Sequence, residues 1–177
     1  MSVPGPAAIG QAVPATIYYG TMILRRATPD DLERLVPLFD GYRQFYRQPS
    51  DPPLAERFLR ARLSAGESVI FVAEGPDGFL GFVQLYPSFW SVAACRSWIL
   101  NDLYVVPERR GAGVGRALMD CARAHAESTG AGGLDLSTQK SNHSAQRLYQ
   151  AAGWQRDEEF YHYELSLPRR EPEPGTP

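Results

Sequence analysis

Residues 101–116 read "NDLYVVPERRGAGVGR", an apolar, β-branched stretch that runs into glycines at 111, 113 and 115 with arginines on both sides. An alanine-rich, helix-favouring run follows, so the glycines fall in a strand-to-helix turn. Glycine inside an element costs stability. Three at alternate positions point to backbone that takes positive φ or approaches something closely. A helix start collects unsatisfied N–H groups and the positive end of the helix dipole. Amides laid bare by glycine, flanked by arginine, form a nest whose natural occupant is a phosphate or pyrophosphate.

Three phosphate loops compete for this stretch, beside a solvated glycine-rich turn that binds nothing. A Walker loop needs Gly-Lys followed by Ser or Thr, and the stretch has no lysine. A dinucleotide fingerprint begun at Gly111 needs glycine where Arg116 stands, and begun at Gly113 it fails at Leu118. The glycines alone leave the third loop and the empty turn open.

Outward from the turn, elements alternate in type. "MILRRA" predicts a first strand. "TPDDLERLVPLFDGYRQFY" predicts a helix with Thr28 as N-cap, Pro29 at its first position, and Leu32, Leu35, Val36 and Phe39 as its apolar stripe. Asp51 and Pro52 open a second helix with Leu54, Phe58 and Leu59 on one face. "SVIFVAE", the turn "GPDG" and "FLGFVQLY" form a hairpin, and "SWILNDLYVV" is a fourth strand. A helix over about 113–129, a strand "LDLST", a short helix over 142–152 and closing strands through "EFYHYELSL" complete the order β-α-α-β-β-β-α-β-α-β-β. The expected class is α/β with a mixed (α+β) sheet covered by helices.

Bulk properties exclude several classes. The chain has 177 residues, 44% hydrophobic and 21% charged, the size and composition of one domain. A net charge of −2 gives no reason to expect nucleic acid or an anionic membrane as partner. Cys95 and Cys121 make no disulfide scaffold, and with His125, His143 and His162 they show no metal-ligand spacing, so no metal is expected. The N-terminal stretch lacks the pattern of a signal peptide, and no apolar run is long enough for a membrane span, so a cytoplasmic protein is expected. Composition divides the chain into a flexible extension over 1–21, an ordered domain over 22–167 and a disordered tail over 168–177.

"RRGAGVGRAL" resembles the Arg/Gln-x-x-Gly-x-Gly/Ala signature of the GNAT superfamily of acyl-CoA-dependent N-acetyltransferases, through Arg110, Gly113 and Gly115. "SNHSAQRLYQAAGW" resembles a second motif of that family through Asn142, Ala145, Leu148, Tyr149, Gly153 and Trp154. The two follow in the family's order on the expected elements, and the resemblance covers about 22–167. It implies the GNAT-like fold with splayed central strands, and acetyl-CoA as co-substrate.

The resemblance also implies roles. Backbone amides of Arg110, Gly111, Ala112, Gly113, Val114, Gly115 and Arg116 would hold the pyrophosphate of coenzyme A. Leu103, Tyr104 and Val105 would pair with the pantetheine arm as if it were another strand, which requires the fourth and fifth strands to splay, usually by a bulge in the fourth. An amide at that bulge would stabilise the oxyanion. Asn142 would reach the pantetheine amides, although the same residue also reads as a helix N-cap. Tyr149 holds the family's usual proton-donor position, while Ala145, Leu148, Tyr149 and Ala152 equally form a helical core stripe.

An ammonium acceptor must lose a proton before it attacks, and Asp102 is the candidate base, directly or through water. Polyamine acetyltransferases, which this strand resembles, carry glutamate where Asn101 stands, a departure that argues against direct base catalysis at 101. Tyr42, Phe45 and Tyr46, with Asn101, fall where the family forms its acceptor cleft, and the acidic run Asp157, Glu158 and Glu159 suits a cationic amine. The phrases resemble the branch that acetylates polyamines and histone-type lysines. The expected partner is a small-molecule amine or a lysine-bearing protein, with room for a homodimer. A non-catalytic acyl-CoA-binding regulatory module is the alternative on the same fold.

Overall fold

The computed structural model of the chain describes residues 17–19 and 21–168. Strands β1 (Ile17–Tyr19) and β2 (Met22–Arg26) open the fold, followed by helices α1 (Leu32–Phe45) and α2 (Pro52–Ala65). Strands β3 (Val69–Gly75), β4 (Gly78–Trp90) and β5 (Cys95–Val105) then form a meander. Helix α3 (Val114–Ser128), strand β6 (Gly133–Asp135) and helix α4 (His143–Ala151) close it. The sheet order is β1-β2-β3-β4-β5-β6, antiparallel except for the parallel β5–β6 pair.

The helix starts follow their local chemistry. Thr28 opens a 3-10 turn over Pro29–Asp31 ahead of α1, and its backbone N–H donates to Asp31 Oδ2 at 2.9 Å. Asp51 caps α2 by accepting from Leu54 N at 3.0 Å. The buried Asp40 near the end of α1 accepts from Ser50 Oγ at 2.7 Å and from Asp51 N at 2.8 Å, tying the two helices together.

One core lies on each face of the sheet. Helices α1 and α2 cover Ile70, Val72 and Phe82; α3 covers Phe71, Val83, Leu85, Trp98 and Leu100. Along β5 the residues facing α3 change parity, from Trp98 and Leu100 to Leu103 and Val105. Strict alternation forbids that unless one extra residue is inserted. Register supplies it: Leu85 pairs with Leu100 and Gln84 with Asp102, leaving Asn101 as a bulge.

Three expectations change. The closing strands expected through "EFYHYELSL" are not formed: residues 155–167 carry no strand, and Phe160, Tyr161, Tyr163, Leu165 and Leu167 are each at least 75% exposed. Their alternation supplies the side-chain pattern of a strand, but a strand also needs a partner edge. β1 lies within the stretch assigned to a flexible extension, and its backbone pairs with β2. Three residues are too few to show periodicity. The strand expected over "LDLST" is shorter, spanning Gly133–Asp135. The remaining terminal assignments, over 1–16 and 169–177, lie outside the described residues.

Candidate active site

The splay expected between two central strands is present. β6 pairs with β5 only from Ser97 to Ile99, so the edge of β5 through Leu103, Tyr104 and Val105 has no strand beside it among the described residues. The bulge at Asn101 stands at the fork. β5 thus enters the fork with backbone N–H and C=O groups directed at whatever fills the gap.

The glycine turn opens from the end of that edge. Gly111 and Gly113 have φ of +78° and +82°, a region that disfavours other residues. A Cβ at either would meet nothing within 4 Å, so the turn faces open space. Gly113 caps α3, whose ladder begins with Ala117 N donating to Gly113 O at 3.0 Å. The amides of Val114, Gly115 and Arg116 are therefore free of helical acceptors, pointing outward at the positive helix end. That is the fit a pyrophosphate requires.

The flanking arginine side chains are used elsewhere. Arg110 Nε donates to Val105 O at 3.1 Å, with its guanidinium 5.6 Å from the Phe45 ring centre and 5.7 Å from that of Tyr104. Arg116 pairs with Asp120 at 3.1 Å and donates to Ala151 O at 2.9 Å, joining α3 to α4. Backbone, more than side-chain charge, is what the glycine turn presents to the open space beside it.

Asn142 caps α4 by accepting from Ala145 N at 3.2 Å, the local use that its position in the sequence also allowed. Tyr149, on α4, is partly buried and packs against the α3-side core, with its ring centre 6.3 Å from Trp154. Burial and then the neighbouring Tyr46 push its phenol up, with Thr138 acting in the opposite sense. A protonated Tyr149 therefore stands on α4, near enough to Tyr46 at the end of α1 to feel its phenol.

On the other face lies Asp102, 4% exposed. Burial pushes its carboxyl up to about 6, against the opposing hydrogen bonds of Tyr42 and Asn101. Asn101 Nδ2 donates to Asp102 Oδ1 at 3.0 Å, and the Tyr42 hydroxyl lies 3.5 Å from Asn101 O. Burial, and next the nearby Asp102 charge, pushes up the phenols of Tyr42, Tyr46 and Tyr86. Tyr42 and Tyr46 meet edge to face at 5.1 Å, Phe45 and Tyr46 at 5.2 Å. α1 approaches closely because residue 41 is glycine: a Cβ there would lie 2.8 Å from Tyr104 Oη.

Fold and bulge thus bring together Asn101, Asp102, Tyr42 and Tyr46 from distant parts of the sequence, with Tyr149 near enough to feel the Tyr46 phenol. The acidic run is not part of this cluster: Asp157 accepts from Glu159 N and Phe160 N, and Glu158 pairs with Arg156. His143 is exposed and His125 is buried in the core. Sequence reading missed Tyr86 and Gln84. Phe82, Gln84 and Tyr86 alternate with Val83 and Leu85 of the opposite core, so period two across "FLGFVQLY" was the signal that could have found them.

Comparison with known proteins agrees with this architecture. Residues 33–154 match the acetyltransferase (GNAT) family. The chain is 46% identical over 149 residues, 84% of this chain and 100% of the other, to an uncharacterised N-acetyltransferase, YhfO, of Bacillus subtilis (strain 168). It is 36% identical over 116 residues to a streptothricin acetyltransferase of Streptomyces lavendulae, covering 60% of this chain and 59% of that one. The crystal structure of a probable acetyltransferase superposes with a TM-score of 0.78 at 40% identity, covering 83% of this chain and 99% of that one. The chain belongs to the GNAT family and is an acyltransferase, and GNAT acetyltransferases use acetyl-CoA as co-substrate.

Among the described residues no helix is long and apolar enough to cross a membrane, and no group of three or more His, Cys, Asp or Glu side chains is placed to hold a metal.

Proposed function

We propose that this enzyme moves the acetyl group of acetyl-CoA to a primary amine, of the polyamine, small-amine or protein-lysine kind, by direct attack on the thioester. The carrying observation is the fork: an unpaired β5 edge that ends at the open amides of α3 on one side and at a buried carboxylate on the other. Amides from Arg110 to Arg116 bind the pyrophosphate, and Leu103, Tyr104 and Val105 pair with the pantetheine arm.

The ammonium gives one proton to the Asp102 carboxylate, and the freed nitrogen attacks the carbonyl carbon. The C–S bond breaks, the thiolate takes the proton of Tyr149, and the phenolate recovers one from the new amide nitrogen. Asp102 releases its proton to solvent, so amine, thioester and charge balance. The name of the Streptomyces relative, a streptothricin acetyltransferase, supports a small-molecule acceptor, and the "NDLYV" phrase supports the polyamine or lysine kind.

A thiol-release screen with acetyl-CoA across polyamines, aminoglycosides, amino acids and lysine peptides tests the reading. At least one primary amine should accelerate release and leave an acetamide in the mass spectrum. Release that no amine accelerates would overturn it.

A further inference from the structure

We propose that Tyr86, Tyr42 and Tyr46 form, with the Asp102 carboxylate, a cage that takes the acceptor as its ammonium ion, and that Tyr86 is the specificity-determining wall. The inference rests on the amine reading above and names how the amine is recognised.

Parity puts the parts on one face. β4 turns Gln84 and Tyr86 away from the α3-side core that holds Val83 and Leu85. Beyond the bulge, β5 turns Asp102 and Tyr104 the same way, because Leu103 and Val105 belong to the opposite core. Helix α1 then lays Tyr42, Phe45 and Tyr46 against this surface. Register sets Gln84 opposite Asp102, with Tyr86 two residues further along the same face of β4. The charged or titratable groups near this face are Tyr42, Tyr46, Tyr86 and Asp102 itself, and Arg62 of α2 and Glu67 just after it, which act on Tyr86.

The decisive feature is what Asp102 lacks. Its neighbours are neutral, and among the described residues no Arg, Lys or His lies within ion-pair distance of it. A carboxylate buried without a cation is costly, and chains almost always pair it. Other buried carboxylates here follow the rule: Asp31 pairs with Arg25 at 2.7 Å and Asp40 with Arg43 at 3.2 Å. At Asp102 the missing cation is supplied from outside. The rings of Tyr42, Tyr46 and Tyr86 lie on the same side of the sheet as that carboxylate, and an aromatic ring attracts a cation within about 6 Å of its centre.

The probe is propyltrimethylammonium, which has the charge but no N–H to acetylate, set against its neutral isostere 2,2-dimethylpentane. Poor solubility of that alkane makes 3,3-dimethylbutanol, the neutral counterpart of choline, the working control for choline itself. Both trimethylammonium compounds should inhibit competitively against the amine and not against acetyl-CoA, while the neutral alcohol should be at least ten-fold weaker. Tyr86→Leu should raise the amine KM and the inhibition constant together by about ten-fold, with kcat falling less, and Tyr86→Phe should restore both. Calorimetric titration of choline into the unloaded protein reads the cage without turnover, so choline binding beside a primary-amine screen that finds no acetyl transfer would sink the amine reading and sustain the cage. Equal inhibition by choline and the alcohol, or an unchanged inhibition constant in a folded Tyr86→Leu, would overturn the cage.

Discussion

At Tyr149 a packed ring and a proton donor make different demands on one hydroxyl. Tyr149→Phe keeps the contacts with the core and Trp154. It should therefore cost at most about 1 kcal/mol of stability, the typical net value of one hydrogen bond. If the phenol protonates the departing thiolate, kcat should fall by about 10²-fold, the scale of a positioned acid. The loss should shrink with an acyl donor of more acidic thiol, as steady-state rates with two donors will show. Equal losses would make the hydroxyl a positioning group.

Asp102 makes a second prediction at this scale. Its folded-state pKa, raised from 3.8 to about 6, means the folded chain holds more protons than the unfolded one between those values. Stability contributed by the protonated form is present at low pH and lost as pH rises through about 6, a displacement worth ~3 kcal/mol. Asp102→Asn should thus be more stable than the parent above pH ~6 and converge with it in acid, measured by denaturant unfolding at several pH values. It should also lose the acid limb of the kcat/KM profile and most of the activity. A variant less stable at pH 8 would show that Asp102 serves the fold.

At the scale of elements, the bulge in β5 can be removed without exchanging faces. Deleting Asn101 joins Leu100 to Asp102, and the α3-side row Trp98, Leu100, Leu103, Val105 then falls into unbroken alternation. The deleted chain should fold, with a melting temperature within a few degrees of the parent, because both cores keep their residues. Acetyl-CoA binding and turnover should each fall by more than about ten-fold, since the strand straightens across the fork. Calorimetry and thermal melts separate these outcomes. Undiminished activity would make the bulge incidental.

For the molecule as a whole, we predict a contribution to acid sensitivity from a residue remote from the chemistry. His125 is fully buried between Trp98, at 4.7 Å, and Phe71, at 5.5 Å, and neither ring nitrogen has a partner among the described residues. Burial, with nearby Arg26 adding to it, lowers its pKa from 6.5 to about 4. Here the unfolded chain holds the extra proton, so stability is lost as pH falls from about 6.5 toward 4. His125→Leu should remove that slope: its advantage over the parent should grow by ~2 kcal/mol between pH 7 and 4.5, in line with the lowered pKa. Parallel curves would assign the acid loss to other groups.

Local signals determined much of this protein on their own. Thr28, Asp51 and Asn142 announce helix starts, apolar and β-branched runs with the turn "GPDG" mark β3 to β5, and the glycine turn with the "SNHSAQRLYQAAGW" phrase names the family. These are short-range effects, carried by backbone sterics and by neighbours a few residues apart. Only the tertiary structure decided the rest. That Asn101 is the extra residue depends on where β4 pairs, and that Tyr86 shares a face of the sheet with Asp102 depends on register across the hairpin. That "EFYHYELSL" stays unpaired depends on the absence of a strand beside it, which its own alternation cannot report. Asp102 looks like an ordinary strand acid until α1 closes over it. The burial that raises its pKa, against the opposing hydrogen bond of Tyr42, depends on α1, whose Tyr42 approaches the Asn101 carbonyl 59 residues further along the chain. Burial is a property of the assembled faces, and no window of sequence contains it.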